Sequence, residues 1–383
     1  MMEVLAARLK KYRDQDLYRN RQFSQDSSSI AFNSNDYLGL AGHPQVAEAL
    51  ATAAKKYGCG STGSHLISGH HYEHQALEEE LAEFVGRPRA LLFSSGYMAN
   101  LGIMQALLGR HDTVVGDRLN HASLIDAAKL SGARHRRYRH ADVASADENL
   151  QSADGGQKLL VTDGVFSMDG DIAPLPELAA IAEQRAACLM VDDAHGFGVL
   201  GNRGSGSVQA AGLSVDQVPV LMATLGKAAG VQGAFVAGSE TLVEGLIQFA
   251  RTYVYTTALP AAAAAALRVS LRLIREDEWR RDQLKTNVNY FRNAAGQLGL
   301  RLLPSATAIQ GVVAGDNYMA LGWARQLQLN GIGVTAIRAP TVPKGGERLR
   351  ITLSAGHTTA EIDQLVEGLA RLQTREPEVS RGQ

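Results

Sequence analysis

The stretch Ala223-Thr224-Leu225-Gly226-Lys227-Ala228-Ala229-Gly230 sets one lysine among small residues, just after the apolar run Val218-Pro219-Val220-Leu221-Met222. A short apolar run bounded by turn residues reads as a buried strand. Lys227 therefore stands at a strand end, where a reactant can approach its amine. A lysine in apolar surroundings is partly neutral and can act as a Schiff-base nucleophile; a turn lysine on the surface would look the same in isolation. Three other stretches carry chemistry of a matching kind. Leu189-Met190-Val191-Asp192-Asp193-Ala194-His195-Gly196 reads as a strand ending in an acid, with His195 close behind and Asp193 as a capping candidate. An acid at a strand's C-terminal end faces the crevice where α/β folds bind ligands. Phe93-Ser94-Ser95-Gly96-Tyr97-Met98-Ala99-Asn100 runs from strand to helix through a Ser-Ser-Gly turn. Its free amides suit a phosphate and equally suit plain capping. Asn120-His121-Ala122-Ser123 sets His121 either flat against an aromatic ring or at a helix start. Thr224 is close enough to Lys227 to share one small cofactor with it. An amine, a phosphate turn, an acid for a ring nitrogen and a stacking ring are the parts that pyridoxal phosphate (PLP) needs.

Other motifs do not survive their context. Gly58-Cys59-Gly60-Ser61-Thr62-Gly63 has the glycine spacing of a dinucleotide fingerprint, which requires a strand before it and a helix after it. Here Ala53 to Tyr57 ends a helix and a loop follows. Gly226-Lys227 resembles the end of a P-loop, but Ala228 supplies no hydroxyl and Leu221 stands where the first glycine belongs. His70-His71-Tyr72-Glu73-His74 has no cysteine partner, and its adjacent histidines point apart in regular structure. A loop or N-cap role is expected there, and no metal site. Arg134-His135-Arg136-Arg137-Tyr138-Arg139-His140 reads as a strand edge blunted by charge. Its alternative is a landing patch for an anionic acyl carrier or a coenzyme phosphate.

The elements that position these residues follow a rhythm. Apolar runs at Ala90–Phe93, Thr113–Gly116, Leu159–Thr162, Cys188–Asp192, Val218–Ala223 and Ala234–Ala237 alternate with helical patterns. This predicts a mostly parallel sheet covered by helices. Further helices are expected over Glu3–Tyr18, Pro44–Tyr57, Glu73–Val85 and, as one long connector, Ala261–Phe291. A smaller α/β subdomain follows, with strands at Ala308–Ala314, Gly333–Ile337 and Leu349–Leu353. The expected organisation is an N-terminal helix and arm (1–45), a large cofactor-binding domain (46–260), and a connecting helix with a small C-terminal subdomain (261–383). The 383 residues carry 38 Lys+Arg against 39 Asp+Glu, which argues against nucleic acid as a partner. Two cysteines give no disulfide framework, and no apolar run is long enough for a membrane span. A cytoplasmic setting is expected.

With these residues in view, the sequence resembles the α-oxoamine synthases, PLP-dependent enzymes of the aspartate-aminotransferase-like fold type I. The resemblance runs from about Asn33 to about Leu372. It is carried by Ser34-Asn35-Asp36-Tyr37-Leu38-Gly39-Leu40, Gly58 to Gly69, Gly164 to Asp171, Val191 to Gly196, Thr224 to Lys227, Thr335 to Pro343 and Arg348 to Leu353. It implies that Lys227 carries the cofactor, Asp192 pairs with its pyridine nitrogen, His195 and Ser167 lie at the ring hydroxyl, and His121 stacks on the ring. It places Gly96, Tyr97 and Thr224 at the phosphate, with Thr256 and Thr257 reaching the phosphate of a partner subunit, hence a homodimer. Arg350 would hold the amino-acid carboxylate, and Arg19 and Thr341 would contact substrate. The implied reaction is a decarboxylative condensation of an amino acid with an acyl thioester. Gly58 to Gly69 and Thr335 to Pro343 favour L-alanine with a pimeloyl thioester, carried by coenzyme A or by an acyl carrier protein. Members that use glycine or serine share the same constellation. The stretch between Arg21 and Ala31 is shorter than in many relatives, which leaves Arg19 and Arg21 as alternatives. His65 stands where many relatives have arginine and receives no role.

Overall fold

Twelve strands organise the computed structural model, which describes residues 1–15, 17–18, 21, 29–339 and 341–374. In chain order they are β1 (Ile30–Ala31), β2 (Arg89–Phe93), β3 (Thr113–Asp117), β4 (Arg134–Tyr138), β5 (Lys158–Asp163) and β6 (Cys188–Asp192). Then come β7 (Val220–Thr224), β8 (Ala234–Gly238), β9 (Ile309–Val313), β10 (Ile332–Gly333), β11 (Thr335–Ile337) and β12 (Arg348–Thr352). The central sheet has seven strands in the order β2-β8-β7-β6-β5-β3-β4. Only β8 runs antiparallel to its neighbours; the other pairs are parallel.

Apart from the edge strand β4, of which only Tyr138 is buried, these strands are buried on both faces, as a parallel sheet under helices requires. Alternate residues enter opposite cores, because a strand's side-chain period is two. Leu159, Val161 and Met190 pack with the helices Gly96–Leu107 and Ala122–Leu130. Leu160, Leu189 and Val191 pack on the other face with Leu175 and Leu178 of the helix Leu175–Gln184. Each such buried side chain contributes about 1.5–3 kcal/mol, so a register slip would reverse many of them at once. The register also places Asp163 opposite Asp192 at the C-terminal ends of β5 and β6.

A three-stranded antiparallel sheet, β11-β12-β9, forms the C-terminal part. The segment after β1, expected as an arm, is bound into this region: Phe32, Tyr37, Leu38 and Leu40 are buried. Thr352 N donates to Phe32 O at 2.8 Å, and Ala355 N to Tyr37 O at 2.8 Å. The N-terminal helix Met2–Asp14, by contrast, buries none of its residues.

Three expectations are corrected. The connector is not one helix but two, Ala261–Glu276 and Glu278–Gln297, broken at Asp277. Asp277 adopts φ −87°, ψ 65° there, a non-helical conformation that the helical spacing hides, and its carboxylate pairs with the Arg280 side chain at 3.0 Å. The expected strand Gly333–Ile337 is split at Val334, because β10 pairs with β1 while β11 pairs with β12. Within the expected loop Gly58 to Tyr72, His65–Gly69 forms a π-helical turn. The basic run forms β4 at the sheet edge.

Candidate active site

Parallel β7 and β6, with β3 and β5 alongside, bring four functional turns to one edge of the sheet. After β7 the chain folds back on itself. Thr224 Oγ1 donates to Gly233 O at 3.0 Å, Leu225 N donates to Gly233 O at 2.8 Å, and Gly230 N donates to Lys227 O at 2.8 Å. Gly230 has φ +71°, and a Cβ there would collide with the Ala41 backbone, so the turn needs glycine. Leu225 is buried and anchors the turn. The half-buried Lys227 extends its amine to within 2.8 Å of His195 Nε2. His195 Nδ1 lies 2.5 Å from Tyr37 Oη, which donates to Asn35 Oδ1 at 3.3 Å. Asn35 Oδ1 also accepts from Arg350 Nη2 at 3.1 Å. One donor order satisfies this chain: Lys227 donates to Nε2, Nδ1–H donates to Tyr37, and Tyr37 donates to Asn35.

Burial lowers the Lys227 amine to about 8, against the opposing pull of Asp192 and Asp163. Burial, with the positive charges of Lys227 and Arg350 nearby, holds the His195 imidazole well below its ordinary range. His195 is therefore neutral, as the donor order requires.

A second network holds the acid and the stacking candidate. Asn100 Nδ2 donates to Asp192 Oδ2 at 2.8 Å and to Ser123 Oγ at 2.9 Å. Ser123 Oγ lies 2.7 Å from His121 Nδ1, which also accepts from Ser123 N at 3.3 Å. His121 N donates to Asp163 Oδ2 at 2.8 Å. Burial pushes the His121 imidazole down and the Asp192 carboxyl up. The Asn100 amide and the Lys227 amine oppose the shift at Asp192. Asp163 is raised well above the carboxylate range by burial and by the charge of Asp192. Asp193 turns away and accepts from Ser207 N at 2.8 Å and Ser207 Oγ at 2.6 Å, holding the start of the helix Ser207–Ala210.

Arg350, on β12, is buried and held at each nitrogen by one bond: Nε donates to Ser167 O at 2.6 Å, Nη1 to Thr352 Oγ1 at 2.9 Å and Nη2 to Asn35 as above, which leaves the second N–H of Nη1 and of Nη2 for a ligand. Ser167 thus meets Arg350 through its carbonyl. Gly96 and Tyr97 open the helix Gly96–Leu107, where Ser95 Oγ caps Met98 N at 3.2 Å. The Gly96 and Tyr97 amides have no intrahelical partner there. The Tyr97 hydroxyl turns to Asp126 Oδ2 at 2.5 Å. Thr257 forms a bridge with Ser64, and its carbonyl accepts from Ser94 Oγ at 3.1 Å, beside the Ser-Ser-Gly turn. Thr256 is half-buried and Thr257 exposed. Thr341 is exposed and bonds through its backbone N to Arg338 O at 2.9 Å. Arg19 lies outside the described residues.

Sequence reasoning assigned no role to Asn35, Tyr37, Asn100, Ser123 or Asp163. Asn35 and Tyr37 lay in a stretch already singled out by its polar turn. Asp163 ends a strand just as Asp192 does. Asn100 and Ser123 gave no signal, because their roles arise from two helix starts meeting in space.

The donor set fits PLP on its own terms. A buried carboxylate suits a protonated ring nitrogen, free helix-start amides and the Thr224 hydroxyl suit a phosphate, and a partly neutral lysine suits an aldehyde. The family model for aminotransferase class I and II matches residues 27–369. The chain belongs to this family. An 8-amino-7-oxononanoate synthase from Methylococcus capsulatus is 59% identical over 341 residues, covering 89% of this chain and 88% of the relative. A variant of serine palmitoyltransferase from S. paucimobilis, solved with a bound PLP–myriocin aldimine, superposes with TM-score 0.90 at 30% identity, covering 96% of each chain. An 8-amino-7-oxononanoate synthase from Francisella tularensis superposes with TM-score 0.79 at 35% identity, covering 90% of this chain and 98% of that one. The fold is PLP fold type I and the cofactor is PLP.

Proposed function

We propose that the chain is an 8-amino-7-oxononanoate synthase: L-alanine and a pimeloyl thioester give 8-amino-7-oxononanoate, carbon dioxide and the free thiol carrier. The observation that carries this reading is the 59% identity over nearly the whole chain to a relative of that name. When bound, PLP supplies the electron sink that stabilises negative charge at the amino acid's α-carbon.

The chain's residues do the rest. Lys227 Nζ would hold the cofactor through its aldehyde carbon and, as a free amine, would take the α-proton and later return one. Its depressed pKa of about 8 leaves a minor neutral fraction near neutral pH, about a tenth at pH 7. Asp192, held by Asn100, keeps the ring nitrogen protonated. His195, fixed by Tyr37, and Ser167 would lie at the ring hydroxyl. His121, oriented by Ser123, would shield the ring from water. Arg350 gives a planar fork to the alanine carboxylate, with Asn35 beside it and Thr341 farther out. Gly96, Tyr97 and Thr224 take the phosphate, and Thr256 and Thr257 reach the phosphate of the partner in a homodimer.

The deciding assay offers alanine, glycine and serine in parallel, each with pimeloyl-CoA and with pimeloyl-acyl carrier protein. Product formation with alanine and a pimeloyl donor is expected. Preference for glycine or serine assigns the chain to a sister activity of the same constellation, and turnover with only one donor identifies the carrier.

A further inference from the structure

The loop before the helix Tyr72–Phe84 and the first turn of that helix bring three histidines together, next to the Ser64–Thr257 bridge. His65, His70 and His74 each offer one ring nitrogen, all within 4.8 Å of one another. Ring centroids lie 5.1 Å apart for His65 and His74, 5.2 Å for His65 and His70, and 5.6 Å for His70 and His74. His71 leaves the group. It caps the helix, its backbone N donating to His74 Nδ1 at 2.9 Å. The adjacent histidines do point apart, but His65 supplies the third ring that the run from His70 to His74 lacks.

Tautomers decide whether such a group can bind an ion, because each ligating nitrogen needs a lone pair. His74 Nε2 faces Leu259 O at 2.6 Å. A carbonyl only accepts, so Nε2 carries the proton and Nδ1 carries the lone pair. His70 Nδ1 and His65 Nδ1 lie 2.9 Å apart, so one of them carries the proton between them and the other a lone pair. Backbone or amide oxygens behind ligating histidines are the usual means of aiming them at a metal. The His65 ring is held flat against Tyr253, 5.0 Å away at 10°. We propose that His65, His70 and His74 bind a borderline divalent cation, of the Zn2+ or Ni2+ type, through three imidazole nitrogens. Binding moves the proton shared by His65 and His70 to the Nε2 of the ring that carries it, and replaces the His71 amide at His74 Nδ1. With metal–nitrogen bonds of about 2.0–2.1 Å, the rings close inward slightly from the arrangement seen. His70 is exposed and gives the ion a way in.

Among the described residues, the other group of this kind, His140 with Asp169 and Asp171, offers no comparable site. Both His140 nitrogens face carboxylates, and Asp169 already holds Arg348 at 2.7 Å.

Equilibrium dialysis of the PLP-loaded full chain against Zn2+ tests the proposal, with bound metal counted by elemental analysis. One equivalent per chain is expected at micromolar or lower free Zn2+. His70→Ala, at an exposed position, and His65→Gln should each weaken this binding at least tenfold, while His71→Ala, outside the proposed ligand set, should not. Wild-type protein that binds no equivalent, or variants at 65 and 70 that bind as wild type does, would overturn it.

Discussion

At the scale of single residues, the active site depends on how burial divides protons among neighbours. Lys227 is depressed to about 8 because its amine is taken out of water near Arg350. An amine must be neutral to accept a proton, so the rate at saturating substrate should rise as pH climbs through about 8 and then level off. A flat profile between pH 7 and 9 would remove Lys227 from the proton transfer. Lys227→Ala should abolish turnover together with the absorbance of the lysine-linked cofactor, and a yellow, active variant would contradict the assignment. Asn100 is a subtler case, since its single amide nitrogen serves both Asp192 and Ser123. A hydrogen bond to a charged group contributes about 1.5–3 kcal/mol. Asn100→Ala should therefore raise the PLP dissociation constant roughly tenfold or more, measured by titrating cofactor into apoenzyme; unchanged affinity would mean Asp192 needs no support.

At the scale of elements, the loop from Val165 to Ile172 carries Ser167 and Asp169, which hold Arg350 and Arg348. His140, at the end of β4, fastens this loop to β3: Nε2 lies 2.9 Å from Asp171 and Nδ1 3.2 Å from Asp117. Burial alone would lower the His140 imidazole, but hydrogen bonds and charge from Asp117 and Asp171 outweigh it and raise it to about 10. Its folded pKa exceeds its unfolded value of about 6.5. The stability it adds is thus complete below about pH 6.5 and is lost as pH rises through about 10. Removing one partner of a buried ion pair costs about 3–5 kcal/mol, so His140→Ala should lower the unfolding midpoint at pH 7 and flatten the alkaline loss; equal midpoints for both proteins at pH 7 would rule the clamp out. Such a clamp is not legible in sequence, where His140 merely ended a basic run. What was legible is local: strand ends at Asp192 and Thr224, the glycine turns, and the alternation of strand and helix. Contacts between distant segments were not, as in the pairing of β1 with β10 and the Tyr37–His195 bond, because side-chain pattern records which face is buried and not what it meets.

At the scale of the whole molecule, the phosphate turn lies beside a segment with an unsatisfied surface. Thr257 bridges to Ser64, and near it stand Ile67, 84% exposed, and Tyr255, 73% exposed. Large apolar side chains left in water beside a functional segment mark an interaction surface. A second copy of the chain is the occupant that the role proposed for Thr256 and Thr257 calls for, since each would then complete the other's phosphate site. In that proposed assembly, dimerisation and cofactor binding would be coupled: separating the subunits would also remove two hydroxyls from each PLP. Sedimentation of the wild-type protein should show a dimer. Ile67→Lys with Tyr255→Glu should shift it toward monomer and weaken PLP binding in the same concentration range, while Thr257→Val should weaken PLP binding and leave the dimer intact. A monomeric variant that binds PLP as tightly as wild type would show that each chain builds its phosphate site alone.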